Sequence, residues 1–157
     1  MKKTISVLVE NHFGVLSHVS GLFSARGFNI DSLAVGETED PTVSRMTIVV
    51  DGDEKTLEQV KKQLNRLIDV IKIIDLTEED FIDRELVLVK LNVDTKNRSE
   101  ILQIADTFQA KIVDVKTDSA AVEVTGDQNK IKSFLKILQP FGITEIVRTG
   151  RIAMGRG

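Results

Sequence analysis

The sequence predicts an α+β protein made of two ferredoxin-like βαββαβ sandwiches in tandem. Two observations predict this class. The order strand, helix, strand, strand, helix, strand is found twice along the 157 residues, and a Gly-Asp pair opens the second helix of each half. Halves of about 70 residues suit one small sandwich each, with a thin core. Because such a sheet leaves one face and its edges uncovered, we expect the chain to pair with another copy.

The first half opens with TISVLV, whose alternation places Ile5, Val7 and Val9 on one face of a strand. Apolar residues then recur at helical spacing: Val15, Leu16, Val19, Leu22 and Phe23. Gly27 follows as a helix stop. FNIDSLAV and SRMTIVV predict the next two strands, Asp53 is a predicted N-cap for the second helix, and DVIKIIDL predicts the last strand.

The second half repeats the order. RELVLVKLNV predicts its first strand, and NRSEILQIADTFQ predicts a helix with Asn97 as N-cap and Glu100 completing a capping box. AKIVDVK and AAVEVTG predict two strands. DQNKIKSFLKIL predicts a helix that ends before Pro140, and ITEIVRTG predicts the final strand.

Internal duplication is indicated by VDGDEKTLEQVKKQL and VTGDQNKIKSFLKIL, which share the Gly-Asp turn. Their inward positions then match in pairs: Leu57 with Ile131, Val60 with Phe134, and Leu64 with Leu138. We therefore predict a first domain over residues 1–76, a linker over 77–83 and a second domain over 84–157.

Composition narrows the function. A net charge of −3 gives no basic field for nucleic acid, and the chain has no cysteine for disulfides, thiolate catalysis or Cys-based zinc sites. The βαββαβ order also suits RNA-recognition modules, but the chain has no Tyr or Trp, and no Phe lies in the middle of TISVLV or SRMTIVV for base stacking. No apolar run is long enough to cross a membrane, and the amino-terminal segment alternates like a strand rather than a signal peptide.

No catalytic set is evident. The two histidines, His12 and His18, are not spaced as a helical metal-ligand pair, and we interpret them as solvated surface residues. The acidic ETED segment, residues 37–40, is interpreted as a solvated hairpin tip rather than a cation site. We therefore expect no catalytic residue and no metal.

The segment between the first strand and the first helix points to binding. A strand-to-helix turn collects free backbone N–H groups at the positive end of the helix dipole, and Gly14 lets a ligand approach them. The amide of Asn11 both donates and accepts. A small zwitterion would place its carboxylate on these N–H groups and its apolar side chain against Val15, Leu16 or Ile30. The alternative, that Asn11 and Gly14 only make a good turn, is equally compatible with these residues.

Glu10-Asn11-x-x-Gly14-Val15-Leu16 resembles the ligand-binding turn of ACT domains, which are regulatory modules that bind amino acids. GLFSARGFNIDSL, DPTVSRMTI and LEQVKKQLNRLIDV are similar to the small regulatory subunits of acetolactate synthase, and the resemblance extends more loosely to RTGRIAMGRG. It implies a homodimer that binds valine near Asn11 and Gly14 of one chain and Asn29 and Ile30 of the other. We expect leucine and isoleucine to bind more weakly, and the absence of cysteine fits a cytoplasmic location.

The resemblance also implies a large catalytic subunit that uses thiamine diphosphate, magnesium and FAD, none of which this chain would hold. The chain would activate that subunit and confer feedback inhibition. The second half has no glycine at the corresponding turn, so we expect it to serve dimerisation or contact with the catalytic subunit. An amino-acid sensor of a different biosynthetic enzyme remains the alternative.

Overall fold

The computed structural model describes residues 2–157, which form two compact units. The first unit contains the described residues up to Ile82 together with residues 151–157, and the second contains Asp83–Gly150. No helix among the described residues is long and apolar enough to cross a membrane.

The first unit has the predicted βαββαβ order. Its elements are β1 Lys2–Glu10, α1 Val15–Ala25, β2 Asn29–Glu37, β3 Val43–Asp51, α2 Glu54–Asn65 and β4 Val70–Asp75. The strands lie in the order β2-β3-β1-β4, and all neighbours are antiparallel. The two edge strands of this four-stranded sheet are therefore β2 and β4.

The core of the first unit lies between the sheet and its two helices. Alternate residues of β1 are buried as predicted, and they meet the inward residues of both helices: Ile5, Val7, Val9, Val19, Phe23, Leu57, Val60 and Leu64. The predicted inward stripe of α1 is wrong at Leu16, which is 43% exposed. Since Val15 and Val19 already complete the stripe over the sheet, Leu16 lies beside it.

Helix boundaries in the first unit follow from local chemistry. After α1, Gly27 has φ 80° and its N–H donates to the carbonyl of Ser24, while the N–H of Phe28 reaches back to Phe23. This left-handed stop confirms the predicted role of Gly27. The carboxylate of Asp53 accepts a 2.7 Å bond from the N–H of Thr56 and caps α2, also as predicted.

The second unit repeats the architecture. Its elements are α3 Arg98–Thr107, β6 Lys111–Val115, β7 Ser119–Gly126, α4 Gln128–Leu138 and β8 Ile143–Arg148, and its long first strand is β5 Phe81–Asn92, whose first two residues belong to the first unit. The strand order is β6-β7-β5-β8. Asp127 caps α4 through the N–H of Lys130 at 2.9 Å, which is the counterpart of the Asp53 cap. The matched inward residues of α4 are buried as well: Ile131, Phe134 and Leu138.

The predicted capping box at the start of α3 is wrong. Asn97 makes no side-chain cap to the helix, and its side-chain oxygen accepts instead from the N–H of Asp94 at 2.8 Å. The carboxylate of Asp94 in turn accepts from the N–H groups of Lys96 and Asn97. The DTKN segment thus closes on itself as a turn, which leaves Glu100 with no part in the cap.

The carboxyl-terminal segment forms a further strand, β9 Ile152–Gly155, which pairs with β5. The N–H of Arg151 donates to the hydroxyl of Ser32 at 2.8 Å, and Ala153 is buried. Ser32 pairs with Val49, whose neighbour Ile48 faces the helices, so Ser32 lies on the helix-free face of the first sheet. The tail is therefore an ordered part of the first unit.

Candidate ligand-binding site

The turn between β1 and α1 is held by Asn11. Its backbone N–H donates to the carbonyl of Thr42 at 2.7 Å, and its side-chain Nδ2 donates to the carbonyl of Pro41 at 3.1 Å. No described residue donates to the side-chain Oδ1 of Asn11. One end of the amide therefore fixes the turn against the loop before β3, and the other end remains an acceptor.

Gly14 is required by the backbone conformation of this turn. It is the N-cap of α1 with φ 88° and ψ −10°, a left-handed conformation that residues with a Cβ rarely adopt. The side of Gly14 is also open, because an added Cβ would meet no heavy atom within 4 Å. Gly14 therefore fits both roles: it allows the turn, and it leaves the backbone accessible to a ligand.

The first turn of α1 presents unused donors. Among the described residues, the backbone N–H groups of Phe13, Gly14 and Leu16 make no hydrogen bond, and that of Val15 reaches the His12 carbonyl only at 3.5 Å. The first turn contains no acidic residue. Since α1 is an 11-residue helix, its dipole adds positive potential at these donors, and the arrangement suits a carboxylate.

The apolar residues named from the sequence have different environments. Val15 is buried in the core of its own unit, whereas Leu16 is largely exposed. Ile30 is half-buried and packs against the core. The surfaces open to a ligand side chain are therefore those of Leu16 and the outer part of Ile30.

One chain does not bring the two halves of the predicted site together. Asn29 pairs with Asp51, which pairs with Lys2 at the start of β1, whereas Asn11 follows the end of β1. At about 3.3 Å per residue, the two ends of this nine-residue strand are roughly 26 Å apart. The side-chain Nδ2 of Asn29 donates to Asp31 at 2.7 Å, so this end is ordered locally.

The corresponding turn of the second unit is closed. The N–H groups of Lys96 and Asn97 both bond the carboxylate of Asp94, and the N–H of Asn92 bonds the carbonyl of Gly142. The N–H groups just before α3 are therefore taken by protein oxygens, whereas those of Phe13 and Gly14, just before α1, are open.

Comparisons with known proteins find a family match for each half of the chain. A family profile for an ACT domain of the type found in acetolactate synthase (AHAS) small subunits matches residues 5–72, and one for the small subunit of acetolactate synthase matches residues 84–157. A probable acetolactate synthase small subunit from Archaeoglobus fulgidus is 52% identical over 157 residues, covering 100% of this chain and 98% of the relative.

This chain belongs to the acetolactate synthase small subunit family. A second relative is the acetolactate synthase small subunit of Mycolicibacterium smegmatis. It is 50% identical over 154 residues, and the match covers 98% of this chain and 91% of the relative. The crystal structure of the small subunit from Thermotoga maritima superposes with a TM-score of 0.89 at 41% identity, covering 100% of this chain and 98% of that one. The expected ferredoxin-like tandem with an ACT domain is thereby confirmed.

Proposed function

We propose that this chain is the regulatory subunit of acetolactate synthase, that it activates the catalytic subunit, and that it confers feedback inhibition by valine in branched-chain amino-acid synthesis. The observation that carries the proposal is the open donor cluster at Gly14, in a chain whose family members are named small subunits of that enzyme. Thiamine diphosphate, magnesium and FAD belong in this proposal to the catalytic subunit, in the cytoplasm.

The effector site is completed by a second copy. Strand β2 is an edge of the first sheet, so two copies can pair their β2 strands about a two-fold axis. In an antiparallel pair, the start of one β2 lies beside the end of the other. The end of β2 is at the same end of the sheet as the Asn11 turn, because Gly36 pairs with Arg45, which pairs with Leu8. A homodimer would thus bring Asn29 and Ile30 of one chain toward Gly14 of the other.

Each group of valine has a counterpart in this arrangement. The carboxylate accepts from the free N–H groups around Gly14, and the ammonium donates to Oδ1 of Asn11. The isopropyl group packs on Leu16 and on Ile30 of the second copy. Since an apolar pocket distinguishes one methylene by only about 1–3 kcal/mol, leucine and isoleucine bind more weakly but are not excluded.

Inhibition then follows from linkage. Valine shifts the pair of subunits toward the arrangement that it binds better, and the catalytic subunit responds to that arrangement. The coupling free energy between two such sites is typically ~1–3 kcal/mol. The coupling is reciprocal, so association with the catalytic subunit in its active state must lower the affinity for valine by the same factor.

Gly14→Asp and Gly14→Asn together test the site. The two side chains have nearly equal size and tolerate the left-handed conformation to a similar degree, so backbone strain is matched and only the charge differs. We expect Gly14→Asp to lose valine binding in calorimetry and to lose valine inhibition of the reconstituted enzyme, while activation is retained. Gly14→Asn should retain more of the affinity because it brings no negative charge.

Three results would count against the proposal. Equal valine affinity in both variants and the unmodified chain would place the effector elsewhere. Failure of the chain to stimulate a purified acetolactate synthase catalytic subunit would remove the regulatory role. A monomer in sedimentation at the concentrations of the valine titration would remove the shared site.

A further inference from the structure

Three side chains with metal-binding groups converge at the end of β1. Glu10 is the last residue of β1, and Asp69 immediately precedes β4. The N–H of Glu10 donates to the carbonyl of Asp69 at 2.8 Å, so the two residues are fixed next to each other by the start of the β1–β4 pairing. The N–H of His12 donates to the carbonyl of Glu10 at 2.9 Å, which turns the chain back over this strand end.

We propose that Glu10, His12 and Asp69 form a binding site for a divalent transition-metal ion of the zinc class. One ligand atom from each side chain lies within 4.8 Å of the others, and Nε2 of His12 is 3.0 Å from Oε2 of Glu10. Zinc lies about 2.0–2.2 Å from nitrogen and oxygen ligands, so two ligands of one tetrahedral ion are about 3.3–3.6 Å apart. The His12–Glu10 pair has to separate by only about half an ångström to reach that spacing.

The third ligand needs only a small adjustment. The carboxylate of Asp69 has to approach the other two atoms by less than about 2 Å to reach the spacing of adjacent zinc ligands. Asp69 and Glu10 are half-buried and His12 is exposed, so their side chains have room to rotate at the surface. The backbone bond between Glu10 and Asp69 keeps the strand ends together during that rotation.

The donor set selects the class of ion. An imidazole with two carboxylates suits zinc and its neighbours in the transition series, whereas magnesium and calcium prefer oxygen ligands alone. The two carboxylates neutralise the charge of a divalent ion. Three protein ligands leave at least one coordination position for water, so the ion is bound reversibly from solvent.

The ion would link the β1–α1 turn to the residue before β4, two segments that are otherwise held together by hydrogen bonds only. Glu10 and His12 flank Asn11, and Asp69 lies before β4, so coordination fixes both sides of Asn11 to a neighbouring strand. This inference does not depend on the valine site, because the three ligands are distinct from Asn11 and Gly14 and the ion would bind in the absence of any amino acid.

The test is a titration of the tag-free, full-length chain with ZnCl₂ by calorimetry, and with CoCl₂ followed by the visible absorption of bound cobalt. The variants are His12→Gln and Asp69→Asn, and His18→Gln is the matched control because His18 is the only other histidine and is exposed on α1. Loss of an outer-shell partner alone costs about 10–100-fold in metal affinity, so we expect each ligand variant to lose at least tenfold and His18→Gln to bind normally.

A second readout needs no variant. Paramagnetic cobalt should broaden or shift the backbone amide signals of Glu10, His12 and Asp69 before those of other residues. Absence of zinc binding at 100-fold molar excess, equal loss in His18→Gln and His12→Gln, or equal affinity for magnesium and zinc would each overturn the proposal. Circular dichroism shows whether each variant is folded, so that loss of metal binding through unfolding is distinguished from loss of a ligand.

Discussion

The side-chain nitrogen of Asn11 donates to the carbonyl oxygen of Pro41 at 3.1 Å, which ties the β1–α1 turn to the loop before β3. The same amide leaves its oxygen with no donor among the described residues. One residue can therefore hold the turn and accept a hydrogen bond from a ligand, and these two roles are separable by substitution.

Asn11→Ala should weaken valine binding by about 1–3 kcal/mol, because the ammonium loses an acceptor that the proposed valine-bound dimer buries. Asn11→Asp keeps an acceptor oxygen but loses the donor to Pro41, so it should bind valine better than Asn11→Ala while lowering the melting temperature. Calorimetry and thermal unfolding measure the two effects. A valine affinity that is unchanged in Asn11→Ala would leave Asn11 as a turn residue only.

Gly52→Ala should destabilise the first unit by about 1–3 kcal/mol through overpacking. A Cβ at Gly52 would overlap the ring of Phe28, which is buried and packs edge-on against Phe23. The equivalent glycine of the repeat supplies the control. The three atoms nearest to a Cβ at Gly126 all belong to the flexible side chain of Lys130, which can move away, so Gly126→Ala should cost much less in urea unfolding. Equal losses would contradict this account.

The Asp53 cap should give a pH-dependent contribution to stability. Hydrogen bonds from the backbone N–H and then the hydroxyl of Thr56 lower the pKa of Asp53 below its ordinary value. A carboxyl whose folded pKa is lowered contributes stability that is fully present above its unfolded pKa of about 3.9 and is lost as the pH falls through the folded value.

The comparison that isolates this effect is with Asp53→Asn, which caps the helix but does not titrate. Between pH 7 and pH 5 the difference in unfolding free energy between the two proteins should be constant, and it should change below about pH 4 in the direction that disfavours the aspartate. If the difference in unfolding free energy stays constant down to pH 3, the cap does not lower the pKa of the Asp53 carboxyl.

Deletion of residues 151–157 should destabilise the first unit selectively. The deletion removes the strand β9, the buried Ala153 and the bond from the N–H of Arg151 to Ser32. Hydrogen exchange should show faster opening in β1 and β2, with little change in β7. Arg156→Gln is the control, since it removes only an exposed ion pair with Asp80 and should change stability by less than about 1 kcal/mol. A truncated chain as stable as the full one would contradict the role of the tail.

Most of the fold could be predicted because local signals agreed with the packing. Alternation in β1 and the helical spacing of Leu57, Val60 and Leu64 each identify a buried face, and the structure buries them. Asp53 and Gly27 have the local chemistry of a cap and a stop, and they act as such. The family, once suggested by the motifs, was confirmed by the relatives.

The errors come from competition and from distance. Asn97 has the spacing of a capping box, but its side-chain oxygen accepts from the N–H of Asp94 instead of from the first turn of α3. The carboxylate of Asp94 holds this alternative turn through the N–H groups of Lys96 and Asn97. Nothing local in the sequence indicates that Asp69 lies near His12, because the end of β1 and the start of β4 are brought together only by strand pairing. The order of the tail, which the sequence leaves open between a frayed and a docked end, depends likewise on Ser32, more than a hundred residues away.

The return of residues 151–157 to the first unit makes the second unit an insertion within the first. Both ends of that insertion are joined to each other: the N–H of Thr149 donates to the carbonyl of Leu86, and the N–H of Leu86 donates to the hydroxyl of Thr149. Cutting the chain at the midpoint would therefore give an amino-terminal fragment that lacks one of its own strands. Replacing residues 87–148 by a short linker would instead preserve every segment of the first unit, and such an excised chain is the form in which to test the proposed effector binding alone.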